Sequence, residues 1–363
     1  KPEETFEEWV TNRFGKQLFE TFFKSYTEKV WGIPCSELKA DWAVQRIKDL
    51  SLRTAVISMF LKPNDSIKSL ISEFRYPRRG PGMMWTQVKE EVEKLGGQVK
   101  LKSPVVGINR DGYHINDVEV CRNGRREKIP GTDFISSMPV TQFLRALDPP
   151  PPPEILDAAK ELKYRDFITV CLIVDQEALF PDNWIYIHDP GVKVGRIQNY
   201  KNWSPHMVPD PIKSSLGLEY FCNEGDELWK MSDEALIELG KREIEAIGLA
   251  SAADINDGVV FRVEKTYPIY DQEYDHYLGI IKEYLAQFDN FQTIGRNGLH
   301  RYNNQDHAML TGMLAVRNML FGENNNLWIV NAEEEFHEEM NIDDVLIEEV
   351  LDIAEGATWK KSS

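Results

Sequence analysis

The sequence predicts an α/β protein in which part of a Rossmann-like domain is joined to a mixed-sheet domain and a helical cap. Three observations carry that prediction. The chain opens on an amphipathic aromatic pattern, with Phe6, Trp9, Phe14, Phe19, Phe22 and Phe23 at helical spacing. Residues 74–108 then give a glycine turn, a helical stretch to Leu95, Gly96-Gly97 and a strand-like run, the order of one βαβ increment. Finally, Pro149 to Pro153 form a stiff, extended boundary, after which short runs alternate in hydropathy as strands do.

Taken in order, Thr5 to Lys29 reads as one helix, with Thr5 as cap and Glu8 three residues on completing a capping box. Gly32 and Pro34 then stop it, which predicts a loop with an exposed Trp31. Asp133 to Pro139 reads as an acidic-then-apolar strand. Phe167 to Val174 is a continuous apolar run suited to a buried strand, and 184–188, 195–200 and 216–222 read as further strands. Ser232 to Ile247 is an amphipathic helix, and 263–270 reads as a strand ending at Pro268.

The stretch 291–318 holds the most information. It begins as a strand, turns at Gly295, crosses a polar loop and enters a helix near Asn304, along which Met309, Met313, Val316 and Leu320 recur at helical spacing. Asn303, Asn304, Gln305, Asp306 and His307 crowd that entrance. Free amides and the positive end of the helix dipole make such a start suited to an anion or an electron-rich ring. An ordinary capped helix satisfies the same pattern, since Asn and Asp are common caps.

Composition narrows the function classes. The 363 residues carry a net charge of −17, which argues against nucleic acid or an anionic membrane as the main partner, because phosphate binding needs clustered Lys and Arg. Cys35, Cys121, Cys171 and Cys222 lie far apart without metal-ligand or redox spacing, as expected of a reduced, cytoplasmic protein. The seven His and the carboxylates give no zinc spacing, so no metal is expected. The apolar runs are too short to span a bilayer. There is no nucleophile elbow and no phosphate-binding loop. The first residue is Lys1, placed directly before a helical pattern, which suggests a fragment of a longer protein.

Several motifs together resemble the amine-oxidase-like flavoproteins, which include protoporphyrinogen oxidases, and among them the UDP-galactopyranose mutases most closely. Asn290-Phe291, Gly295-Arg296 and Tyr302 before an acidic helix start are similar to the C-terminal flavin-contacting segment of these families. Tyr26-Thr27-Glu28-Lys29-Val30-Trp31-Gly32 resembles a mutase segment leading to a substrate flap, and Arg46-Ile47 matches an Arg-Ile pair whose Arg binds the substrate diphosphate there. A guanidinium forks well onto phosphate oxygens. Tyr267-Pro268 is similar to a mutase Tyr-Pro segment, and Val105-Val106 to the strand passing the FAD adenosine. The resemblance implies FAD as cofactor. It places Val105, Val106, Gly295, Arg296, Gln305, Asp306 and His307 on the cofactor, and Trp31, Arg46, Tyr267 and Tyr302 on the substrate. The implied division is a helical cap over 1–73, FAD-binding parts over 74–148 and 290–335, a substrate domain over 149–289, and an acidic helical tail over 336–363.

Two departures bear on the chemistry. No Gly-x-Gly-x-x-Gly occurs, so the usual pyrophosphate-binding turn is missing. Ser214-Ser215-Leu216-Gly217-Leu218-Glu219 looks like a mutase strand with its diphosphate-binding Arg replaced by Ser214, and Asp306 sits two residues later than the family acid. The expected activity is therefore a general FAD-dependent oxidoreductase acting by flavin-mediated hydride transfer on a small molecule. A mutase-like rearrangement of a nucleotide sugar is the first alternative, and a cofactor-free binding module the second.

Overall fold

The computed structural model describes residues 3–40 and 75–331. Arg46 and the acidic tail lie outside the described residues.

Helix α1 (Phe6–Phe14) starts as expected: the Thr5 hydroxyl accepts from Glu8 N–H at 3.2 Å and the Glu8 carboxylate reaches back to Thr5 N–H. The single helix expected to Lys29 is instead broken at Gly15, whose φ of 84° only glycine adopts without strain. A short turn and a π-helical stretch (Phe19–Lys24) follow, and then α2 (Ser25–Trp31). The helix thus runs through Trp31, which is 1% exposed rather than displayed on a loop. Gly32, at φ 68°, supplies the left-handed cap that ends it. Phe6, Trp9, Phe19 and Trp31 share one apolar cluster, whereas Phe22 points to solvent.

Helix α3 (Gly82–Lys94) leads to strands β1 (Val105–Asp111), β2 (His114–Arg122) and β3 (Arg125–Pro130), an antiparallel meander closed by a parallel partner, β5 (Leu147–Asp148). Between them lie β4 (Phe134–Ser136) and α4 (Val140–Ala146). The proline run feeds α5 (Pro153–Glu161), which packs into the same apolar cluster as α4.

A second sheet has the order β10-β6-β9-β8-β7, with every pairing antiparallel. Its strands are β6 (Tyr164–Val174), β7 (Trp184–Tyr186), β8 (Arg196–Asn199), β9 (Ser214–Cys222) and β10 (Ile255–Pro268). One face buries Ile168, Val170 and Leu172 against Leu216, Leu218 and helix α6 (Asp233–Ala246), which Ser232 caps. The other face carries the polar and aromatic residues of a cavity. Helix α7 (Tyr274–Leu285) returns the chain to the apolar cluster shared by α4 and α5.

The last pieces are β11 (Phe291–Thr293), pairing in parallel with β4, and α8 (Gln305–Phe321). Asn290 fixes β11 against β2 by accepting from Ile115 N–H at 3.0 Å and donating to Ile115 and Thr132 carbonyls at 2.8 and 3.0 Å. On α8 the buried positions are His307, Thr311 and Ala315, while Met309, Met313, Val316 and Leu320 stand 40–66% exposed. The apolar stripe is thus present at helical spacing, but the described residues bury the neighbouring face. No helix among the described residues is long and apolar enough to cross a membrane.

Candidate functional site

A cavity of about 700 Å³ opens between α2, the cavity face of the five-stranded sheet and the start of α8. Helical spacing puts Tyr26, Thr27, Val30 and Trp31 on one face of α2, and all four line it. The end of that helix is held by Arg165 at the start of β6. Its buried guanidinium donates to the carbonyls of Val30 (3.0 Å) and Lys29 (3.2 Å) on α2, and of Phe221 (3.1 Å) on β9. A cation on carbonyls that lack helical partners is favourable both as hydrogen bonding and against the helix dipole. The same group leaves no room at Gly32, where a Cβ would stand 2.6 Å from Arg165 Cζ.

Strand alternation sends Phe167, Arg196, Gln198, Glu219 and Tyr267 to the cavity. Register pairs Arg196 directly with Glu219 across β8 and β9. Arg196 Nε donates to Glu219 Oε2 and Nη2 donates to the Tyr267 hydroxyl at 2.9 Å, while Gln198 Nε2 donates to Glu219 Oε1. Burial works against the Arg196 charge, but Tyr267 and Glu219 outweigh it and raise the pKa, so the guanidinium stays charged. Burial is also what raises the pKa of the Tyr26 and Tyr267 hydroxyls, with Arg196 opposing it in both cases.

The C-terminal stretch closes the other wall. Gly295 turns at φ 72° and its N–H donates to Thr311 Oγ1 at 3.0 Å, tying the turn to α8. Arg296 donates to Asn303 O (2.8 Å) and Thr266 O (3.2 Å), and its Cζ lies 5.0 Å from the Tyr267 ring centre and 4.9 Å from that of Tyr302. Those two rings stack at 5.4 Å and 12°, with Trp31 tilted against Tyr302 at 5.9 Å. Asn304 caps α8 and lines the cavity. Its N–H donates to His307 Nδ1 at 3.2 Å, so that nitrogen is an acceptor in this arrangement.

The structure therefore gathers Trp31, Tyr267, Arg296 and Tyr302 around one cavity, with Gln305, Asp306 and the buried His307 at the helix start beside Asn304. It does not bring Val105 and Val106 there. They lie on β1 in the other sheet, Val105 against its core and Val106 exposed. Sequence reading missed Arg196, Gln198, Glu219 and Phe167. The available signal was Glu219 within the largely apolar strand 216–222 and Arg196 at the start of the strand 195–200, where a buried charge requires a partner. Ser214, read as the replacement for a diphosphate-binding Arg, lies at the opposite end of β9 from Phe221, and its hydroxyl donates to Glu177 O at 3.1 Å. It lies outside the cavity, so its identity does not remove a cation from the site. Cys35, Cys121, Cys171 and Cys222 are all free thiols.

Comparison with known proteins finds the same fold elsewhere. A reduced UDP-galactopyranose mutase superposes with a TM-score of 0.75 at 21% identity, over 93% of this chain and 73% of the mutase. A putrescine oxidase variant with redesigned cofactor binding gives 0.56 at 14% identity, over 88% and 68% of the two chains. An oxidoreductase from Methanosarcina mazei gives 0.55 at 11% identity, over 81% and 63%. At these identities the likeness is one of fold. The family model for flavin containing amine oxidoreductases, by contrast, matches residues 1–316. The chain accordingly belongs to the flavin containing amine oxidoreductase family.

Proposed function

We propose that this chain carries the substrate cavity and the flavin-facing helix start of an FAD-dependent oxidoreductase whose substrate is an anionic small molecule. The observation behind the substrate charge is the cavity's own balance: two guanidinium groups, Arg196 and Arg296, against one carboxylate, Glu219, among the described lining residues. A cationic amine would meet that excess positive charge, whereas a carboxylate or phosphate would be drawn to it.

The residues at the start of α8 suit a flavin. A Cβ at Gly295 would find only Ser137 Cβ, at 3.8 Å, so the backbone there is open to close approach. Nearby, the buried Asn303 Nδ2 has no hydrogen-bond partner, and the first amides of α8 have none within the helix. Gly295, Arg296, Gln305, Asp306 and His307 would hold the ring end of the cofactor, and Val105 and Val106 would meet its adenosine end. The exposed stripe of α8 and the two-stranded parallel sheet β4–β11 support the assignment, because parallel sheets in nucleotide-binding folds are covered on both faces. When bound, the flavin supplies a hydride acceptor. Trp31, Tyr267 and Tyr302 would orient the substrate and exclude water around it.

The test is flavin retention after desalting, by this chain and by a version extended upstream. Yellow protein from either supports the reading. Colourless protein from both overturns it and leaves a cofactor-free binding module as the better account. A second reading, a mutase-like rearrangement of a nucleotide sugar, is favoured by one observation: the cavity holds the Arg196 guanidinium, a group suited to phosphate oxygens, independently of the residue at 214. Interconversion of UDP-galactopyranose and its furanose form by reduced, flavin-loaded protein would select this reading.

A further inference from the structure

We propose that Lys29 is a positioning residue, whose ammonium ties the helix carrying Trp31 to the hairpin carrying Arg196 and thereby sets the shape of the cavity. The consequence for ligand binding rests on the anionic-substrate reading above; the clamp itself rests on geometry.

The residues between β7 and β8, 187–195, form the tip of a hairpin. Strand pairing there covers 184–186 against 196–198, so most polar groups of the tip need partners outside the sheet. They find them on two helices with opposite charge. From α6, the Glu243 carboxylate accepts from the N–H groups of Lys193 (2.6 Å) and Val194 (2.9 Å). From α2, Lys29 Nζ donates to the carbonyls of Ile187 (3.2 Å), Asp189 (2.6 Å) and Val194 (3.2 Å). An ammonium has three donors, and all three are used. The Ser25 hydroxyl, on the same helix, adds a bond to His188 O at 2.8 Å.

Both sides of this clamp continue into the cavity wall. Lys29 lies two residues before Trp31 and three after Tyr26 on α2, and the tip leads directly into Tyr186 on one side and Arg196 on the other. Tyr26 and Tyr186 meet edge to face at 4.8 Å across the same junction. Lys29 itself does not line the cavity, so its role is exerted through the two elements it joins.

The experiment compares wild type with Lys29→Met and Lys29→Arg by amide hydrogen exchange and by calorimetric binding of inorganic pyrophosphate. In Lys29→Met, exchange across 187–195 should quicken about tenfold and pyrophosphate affinity should fall about tenfold, while the β6–β9 ladder stays protected. Lys29→Arg, which keeps the cation and its donors, should recover most of both. Unchanged protection of 187–195 in Lys29→Met overturns the proposal, as does a loss spread evenly through the sheet. Should Lys29→Met not fold, Ser25→Ala provides the milder form of the same local loosening, and its absence there counts equally against the clamp. If wild type fails to bind pyrophosphate, the anionic reading of the cavity fails and the exchange result alone decides on the clamp.

Discussion

The Arg196–Glu219 pair offers the sharpest test of how the cavity is built. Side-chain exposures of 10% and 5% place both groups out of water, and the pair is completed by Tyr267 and Gln198. Arg196→Met keeps an unbranched apolar stem and removes the charge and its hydrogen-bond donors. The Glu219 carboxylate would then remain buried with only the Gln198 amide as side-chain partner, and the Tyr267 hydroxyl would lose its donor. Breaking a buried pair from one side costs about 3–5 kcal/mol, mostly the desolvation of the charge left behind. The assay is urea unfolding at neutral pH for wild type, Arg196→Met, Glu219→Gln and the double variant. Because the penalty belongs to the orphaned carboxylate, adding Glu219→Gln to Arg196→Met should recover about half of the loss or more, giving a coupling of about 1.5 kcal/mol or larger. A loss below about 1 kcal/mol for Arg196→Met, or no recovery in the double variant, would refute the claim that the pair is desolvated and mutually dependent.

Two further predictions follow from buried groups elsewhere. Full burial pushes the His300 imidazole down to about 4, so the folded state holds it neutral while the unfolded chain protonates near the ordinary value of 6.5. Its contribution is therefore fully present above pH 6.5 and is lost as pH falls to about 4, on the order of 3 kcal/mol in all; His300→Phe should flatten that part of a stability-versus-pH curve, and an unchanged slope would sink the assignment. Gly32→Ala forces a side chain into a left-handed position against the Arg165 guanidinium, and should cost about 2 kcal/mol or more in thermal or urea unfolding.

Much of the local structure was legible because it depends on neighbours in sequence. The capping box at Thr5, the amphipathic helix after Ser232, the buried strand 167–174 and the turn at Gly295 each follow from residues within a few positions, through cap chemistry, side-chain period and backbone sterics. The break at Gly15 was missed because aromatic residues on both sides preserved the helical rhythm. Trp31 was expected on a loop because Gly32 and Pro34 follow it. It is buried because Arg165, 134 positions away, holds the last carbonyls of its helix.

Composition, motifs and helical spacing in the sequence itself determined the acidic character, the α/β class, the flavoprotein resemblance and the stretch 291–318 as the centre of interest. Only the tertiary structure decided that Arg196 meets Glu219, that Tyr267 stacks on Tyr302, and that the apolar stripe of α8 faces outward. The physical reason is that period and capping are properties of one segment, whereas a buried charge pair depends on the register between two strands and on the helices that hold their connecting turn in place.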